Sequence, residues 1–161
     1  AAGIIIDLRG NPGGIGGMAM GMAGYLVSDA DKKLGTMRTR ATSLDFVINP
    51  QAAPYKGKVA VLVDELSAST SEILAAGLKD IGRARVFGRR TPGAALPSTI
   101  EKLPNGDRFQ YAIADYVSAS GKILEGQGVT PDVPVALDLG LLRSGKDPDI
   151  VAATRWIKEK P

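Results

Sequence analysis

Two loops hold the residues with the most chemical potential: DLRGNPGGIGGMAM (7–20) and VDELSASTSE (63–72). Each follows a short apolar run, III at 4–6 and VAVLV at 59–63, and each leads into a helix-like segment. A loop between a buried strand and a helix leaves backbone N–H groups free at the positive end of the helix dipole. That arrangement attracts an anion. The first loop matches a dinucleotide pattern as Gly14-x-Gly16-x-x-Ala19. The acidic residue that should close a second strand is not placed, since Asp29 and Asp31 lie in a polar turn. No Gly-Lys-Ser/Thr follows, which excludes a P-loop. Three readings stay open from these residues: a turn that needs glycine for positive φ, a nucleotide site, or a cradle for another anion.

The second loop offers Ser69. Ser69 and Glu72 have the spacing of a capping box, in which each side chain takes the other's backbone N–H. A plain N-cap is one reading. A serine at a strand-to-helix turn is also where a nucleophile elbow sits, with its hydroxyl exposed and free N–H groups close by.

Composition narrows the chemistry. The 161-residue chain suggests one domain with a proper core. It has no cysteine, which removes disulfides, thiolate nucleophiles and cysteine metal sites. It has no histidine, so the commonest general base and metal ligand are both missing. The net charge of +3 is mild, and no basic stripe with interleaved aromatics marks a nucleic-acid partner. Nothing reads as a membrane span or signal peptide. Ala1-Ala2-Gly3 runs straight into an apolar strand. The expectation is that 1–161 is a fragment of a longer protein whose N-terminal part is missing.

The loops must be held by regular elements. Strands are expected at 4–8, 34–40, 59–63 and 85–88, with 44–48 ambiguous. Helices are expected at 18–27, where Met18, Met22, Tyr25 and Leu26 approach helical spacing, and at 72–81. Asn105-Gly106 signals a hairpin between 100–103 and 109–117. Asp147-Pro148 caps a terminal helix. Strands alternating with helices give an α/β layered domain. The Asp7/Arg9 pair reads as structural, positioning the glycine loop. The segment 130–133 (TPDV) reads as a strand start.

DLRGNPGG, then GKVAVLVDELSASTSEILAAGLKDIGRARVFGRRTPG, then LEGQGVTPDV together resemble the C-terminal processing (tail-specific) serine peptidase family. Its pattern is a D-L-R-x-N-x-G-G loop, an S-A-S-x-S-E-I turn, D-x-G-R-A, T-x-G and E-G-x-G-V-x-P-D, all found here in order. The resemblance implies a ClpP/crotonase-like layered α/β fold built from strand–helix units. It implies Ser69 as nucleophile, and an oxyanion hole from the N–H of Gly13 or Gly14 with that of Thr70. It places Asp80 on the family's aspartate, either in catalytic support or as a helix-end residue bonding nearby backbone. It implies polypeptide substrates, no metal or organic cofactor, and an exported protein.

One departure matters. The family's dyad lysine follows the glycine of T-x-G, and Ala94 stands there. Arg89 and Arg90 are nearby, but a guanidinium is a poor base. Lys102 and Lys122 read as solvated surface lysines. A branch resembling the core of the tricorn protease uses a serine, an upstream histidine and a glutamate that orients it. Glu125 is the candidate glutamate, against the reading of a surface turn residue, and the histidine would lie outside this chain. The rivals are an inactive relative that binds peptides or apolar ligands, and a crotonase-type acyl-CoA enzyme.

Overall fold

The computed structural model describes residues 1–159. Four strands, β1 (Gly3–Asp7), β4 (Lys58–Val63), β5 (Arg85–Gly88) and β9 (Val133–Pro134), form a parallel sheet in the order β1-β4-β5-β9. Three strands, β2 (Lys33–Arg38), β3 (Ser43–Val47) and β8 (Asp115–Ser118), form an antiparallel sheet in the order β3-β2-β8. Helices α1 (Gly16–Gly24) and α2 (Thr70–Asp80) lie between the two sheets, and α4 (Pro148–Lys158) covers the outer face of the parallel one. A hairpin of β6 (Ser98–Lys102) and β7 (Arg108–Ala112) stands as a separate two-stranded sheet. A short helix α3 (Leu139–Arg143) precedes α4.

The apolar run of β4 is buried on both faces, and side-chain alternation divides it between two cores. Val59, Val61 and Val63 pack toward Leu74 and Leu78 of α2 and Ala19 and Ala23 of α1. Ala60 and Leu62 join Phe87, Ala153 and Trp156 on the other side. The layered α/β reading of the sequence is therefore the observed architecture. At the start of α4 the Asp147 carboxylate accepts the N–H groups of Asp149 and Ile150, with Pro148 in the first turn.

Three expectations change. The stretch 109–117 is two strands: β7 pairs with β6 and β8 with β2, with the switch at Ile113, whose N–H goes to the Pro97 carbonyl. In α1 the buried residues are Ala19, Ala23 and Gly24, while Met18 is 60% exposed. The small residues face the core because α1 packs closely on α2, and Met18 and Met22 turn to the surface while Met20 is half-buried against the core. Helix α3, which periodicity did not signal, has no buried residue and rests on the Asp138 cap.

Candidate active site

Ser69 joins β4 to α2 with φ 55° and ψ −122°, and is the one non-glycine residue at positive φ among the described residues. Such a conformation costs on the order of 1–3 kcal/mol and persists only where the surroundings hold it. Its N–H is shared between the Ala94 carbonyl at 2.9 Å and the Glu72 carboxylate at 3.0 Å. The Glu72 half of the expected capping box is thus present.

The glycine loop lies directly against this turn. A Cβ on Gly13 would stand 2.7 Å from both the Ala68 carbonyl oxygen and Ser69 Cβ, so only glycine fits there, and its φ is 94°. The Ala68 N–H donates to the Asn11 carbonyl, and the Thr70 hydroxyl donates to the Gly14 carbonyl at 2.9 Å. The Gly13 N–H is taken by the Asn11 side chain at 2.9 Å. The N–H groups of Gly14 and Thr70 have no protein partner among the described residues.

Asp64 and Ser67 stitch the two loops together. The Asp64 carboxylate accepts the N–H groups of Gly10 and Leu66, and the Ser67 hydroxyl donates to the Leu8 carbonyl. Burial would raise the Asp64 carboxyl, but the N–H groups of Gly10 and Leu66 and the Ser67 hydroxyl outweigh it and hold it below its ordinary value. Arg9 extends the frame to the other face of the sheet, bridging Asp7, Asp147 and Asp149. The structural reading of the Asp7/Arg9 pair describes this geometry.

Glu72 is the residue that sequence reasoning undervalued. It is fully buried, and its two oxygens gather four donors: the N–H groups of Ser69, Gly93 and Ala94, and the Thr91 hydroxyl. Thr91 in turn accepts the Val129 N–H at 2.7 Å. One carboxylate thereby fixes the serine turn and the TPGA loop to each other. The available signal was a glutamate inside the otherwise apolar run of α2, at the third helical position.

Ser69 opens into a cleft of about 650 Å³ that is also lined by Gly13, Gly14, Ala94 and Glu125. The far wall is the β6–β7 hairpin, through Ser98, Ile100, Gln110 and Ala112. Glu125 is therefore on the same side as Ser69. One oxygen accepts the N–H groups of Ala95 at 2.8 Å and Leu96 at 3.1 Å, and among the described residues no arginine or lysine pairs with it. A smaller, mostly apolar pocket of about 130 Å³ opens on Gly13, Gly14 and Thr70, lined by Ile15, Met18, Met22 and Leu74.

Asp80 is not brought to this site. It ends α2, eleven residues beyond Ser69, which at 1.5 Å per residue is about 16 Å along the helix. Its Oδ2 accepts the hydroxyls of Ser118 and Ser120 and the Ser120 N–H. In this position Asp80 anchors the turn after β8. Lys122 lines the same remote hollow as Asp80. Lys102 lies at the far end of β6.

The sequence profile of peptidase family S41 matches residues 1–135. The chain belongs to peptidase family S41. A probable CtpA-like serine protease of Staphylococcus epidermidis is 31% identical over 134 residues, covering 83% of this chain and 27% of the relative. The photosystem II D1 C-terminal processing protease superposes with a TM-score of 0.75 at 28% identity, over 99% of this chain and 40% of that one. The tricorn protease shares the fold, with a TM-score of 0.64 at 23% identity over 98% of this chain and 15% of that one. This S41 chain thus spans about a quarter of the length of the curated relatives it matches. The family is one of serine-type peptidases, and polypeptide is its substrate class. Among the described residues no helix is long and apolar enough to cross a membrane.

Proposed function

We propose that residues 1–161 form the catalytic core of an exported serine endopeptidase in which Ser69 is the nucleophile and the general base comes from outside this chain. The observation that carries the reading is the placement of Ser69. It sits at a strained turn, open to a cleft, where the two loops meet and the Gly14 and Thr70 N–H groups are unpaired among the described residues. In this reading a base accepts the Ser69 proton as Oγ attacks the peptide carbonyl. The negative charge that develops on the carbonyl oxygen falls to the Gly14 and Thr70 N–H groups. Gly13 is the shape-giving residue of the pair, because Asn11 already holds its N–H. Each such donor is worth about 3 kcal/mol of barrier in related chemistry.

The base is inferred by elimination. The chain has no histidine, and the methyl of Ala94 lines the cleft where the family's lysine would stand. Glu125 faces the same cleft with one oxygen free, and it suits the carboxylate that orients an incoming imidazole. The small apolar pocket beside Gly14 suits an apolar side chain at the cleavage point.

The same two features, a missing base and an apolar pocket, also favour a second reading: an inactive relative that binds peptides or apolar ligands. A fluorophosphonate probe on the full-length protein separates them. Labelling at Ser69, lost in Ser69→Ala, supports the peptidase. A silent Ser69 in folded protein favours the binder.

A further inference from the structure

Among the described residues two acidic side chains are buried, Glu72 and Asp149. Glu72 belongs to α2, between the two sheets, and Asp149 to the first turn of α4, on the outer face of the parallel sheet. Glu72 binds the serine turn to the TPGA loop. Asp149 binds the glycine loop to that same assembly from the other side. Its Oδ2 accepts from Arg9 Nη1 at 2.9 Å and from Arg89 Nη1 at 3.4 Å. Arg9 follows β1 and leads into the glycine loop. Arg89 follows β5 and leads to Thr91, whose hydroxyl donates to Glu72. Arg89 also pairs with Glu65, in the loop after β4, at 3.0 Å. Asp7 and Asp147 pair with Arg9 alone and Glu65 with Arg89 alone, so Asp149 is the acid that joins the two arginines among the described residues. Its second oxygen, Oδ1, is buried with no hydrogen-bond partner among them. A buried carboxylate with a bare oxygen contributes little to stability, because desolvation and the unmet acceptor offset the ion-pair gain. Asp149 also lies beyond residues 1–135, which the family profile matches, so family membership gives it no role.

We propose that Asp149 is a positioning residue for the oxyanion hole. It is a fixed point for two guanidiniums. Through Arg9 it sets the height of the glycine loop, and through Arg89 that of the TPGA loop, so that the Gly14 N–H meets the charge developing on the carbonyl that Ser69 attacks. Oxyanion donors act over a narrow window, about 2.7–3.1 Å from the charged oxygen, so a small drop of the loop costs rate more than substrate binding. The inference rests on the peptidase reading for its reaction, but the hold on the glycine loop can be read without turnover.

The test uses full-length protein with Asp149→Asn, which keeps the shape and removes the charge, and Asp149→Glu, which keeps the charge. Glu65→Gln, which removes only the exposed partner of Arg89, is the control. Urea denaturation establishes that each variant folds. Amide hydrogen exchange reads the loop. Ser69-dependent hydrolysis of a peptide ester and of its thionoester reads the oxyanion hole, because sulfur is a larger and weaker acceptor that gains little from the two N–H groups. In Asp149→Asn, exchange across 9–15 should quicken about tenfold while β4 is unchanged. Ester kcat should fall about tenfold at unchanged KM and thionoester kcat much less, so the ratio of the two shrinks. Asp149→Glu should recover much of both effects, and Glu65→Gln should match wild type. If Asp149→Asn does not fold, Arg9→Lys carries the same comparison, since a point charge cannot span the carboxylates that a guanidinium bridges. Unaltered exchange overturns the proposal, and so does an equal loss on ester and thionoester. Wild type without Ser69-dependent hydrolysis overturns the peptidase reading; quickened exchange in Asp149→Asn then still upholds the hold on the loop, and unaltered exchange overturns it.

Discussion

The Glu72 carboxylate accepts the Ser69 N–H at 3.0 Å and the Ala94 N–H at 2.9 Å, so one buried side chain sets the serine turn and the loop across from it. Its other oxygen holds Gly93 and Thr91. The strain at Ser69 is maintained by this arrangement, since four donors converge where helical geometry alone would let the turn relax.

Replacing Glu72 with Gln should therefore damage both stability and reactivity. A carboxamide keeps one acceptor oxygen and turns an NH2 toward backbone donors. At least one buried N–H then loses its partner, at about 1–3 kcal/mol. The expected result is a lower urea midpoint together with slower fluorophosphonate labelling of Ser69 in the protein that remains folded. Unchanged labelling per folded molecule would reduce Glu72 to a helix cap.

Gly13→Ala and Gly10→Ala should differ in cost. Both positions have positive φ, at 94° and 68°, so both carry a conformational penalty of roughly 1–2 kcal/mol. At Gly10 the added methyl enters open space. At Gly13 it meets the Ala68 carbonyl oxygen at 2.7 Å and the Thr70 nitrogen at 2.8 Å, and the two loops must separate. Urea denaturation should show Gly13→Ala as the more destabilised variant, and Ser69 labelling should fall sharply in it alone.

Asp80→Asn should lower stability as Glu72→Gln does, but leave reactivity intact. The variant weakens the anchor to Ser118 and Ser120, lowering stability by about 1 kcal/mol. Labelling of Ser69 per folded molecule should stay at the wild-type rate, because the helix keeps the two residues apart. A loss of labelling without a loss of stability would return Asp80 to the site.

Acid should loosen the loop frame. The Asp7 carboxyl is held below its ordinary value by the Arg9 hydrogen bond, and Asp64 and Asp147 are also held low by their donors against the effect of burial. A depressed folded value means that these groups stabilise the fold fully above the unfolded carboxylate value near 4. That contribution is lost as pH falls through the lower folded values. Urea midpoints should thus drop between about pH 5 and pH 2, and Asp64→Asn should narrow the difference between those extremes. An equal drop in the variant would remove Asp64 from this account.

Much of the frame was legible in the sequence because strong local signals agreed with the tertiary structure. The valine run of β4, the Asn105-Gly106 turn and the Asp147-Pro148 cap all reappear as read. The proximity of the glycine loop and Ser69 followed from motif order rather than periodicity. Elsewhere tertiary structure decided what local spacing left open. In α1 the methionines carried the periodic signal, yet close helix packing rewards Ala19 and Ala23. The convergence on Glu72 depends on Thr91 and Gly93, which are distant in sequence, so spacing suggested a cap and no more. For Asp80 the motif fixed a position in the chain, while the length of α2 decided where that position lies relative to Ser69.

The central claim is that Ser69 is the nucleophile and that its base lies outside this chain. The most direct measurement is peptide cleavage by the isolated 1–161 chain, by its Ala94→Lys variant, and by full-length protein with and without Ser69→Ala, with folding of each checked by circular dichroism. A serine hydroxyl without a base within hydrogen-bond reach is a weak nucleophile. A lysine at position 94 supplies an amine but not the desolvation that brings its pKa toward neutrality, as the cleft at Ala94 is open. The account predicts cleavage by full-length protein that disappears in Ser69→Ala, and no cleavage by the isolated chain or by Ala94→Lys. Ser69-dependent turnover by the isolated wild-type chain would contradict it, because the base would then lie within these 161 residues.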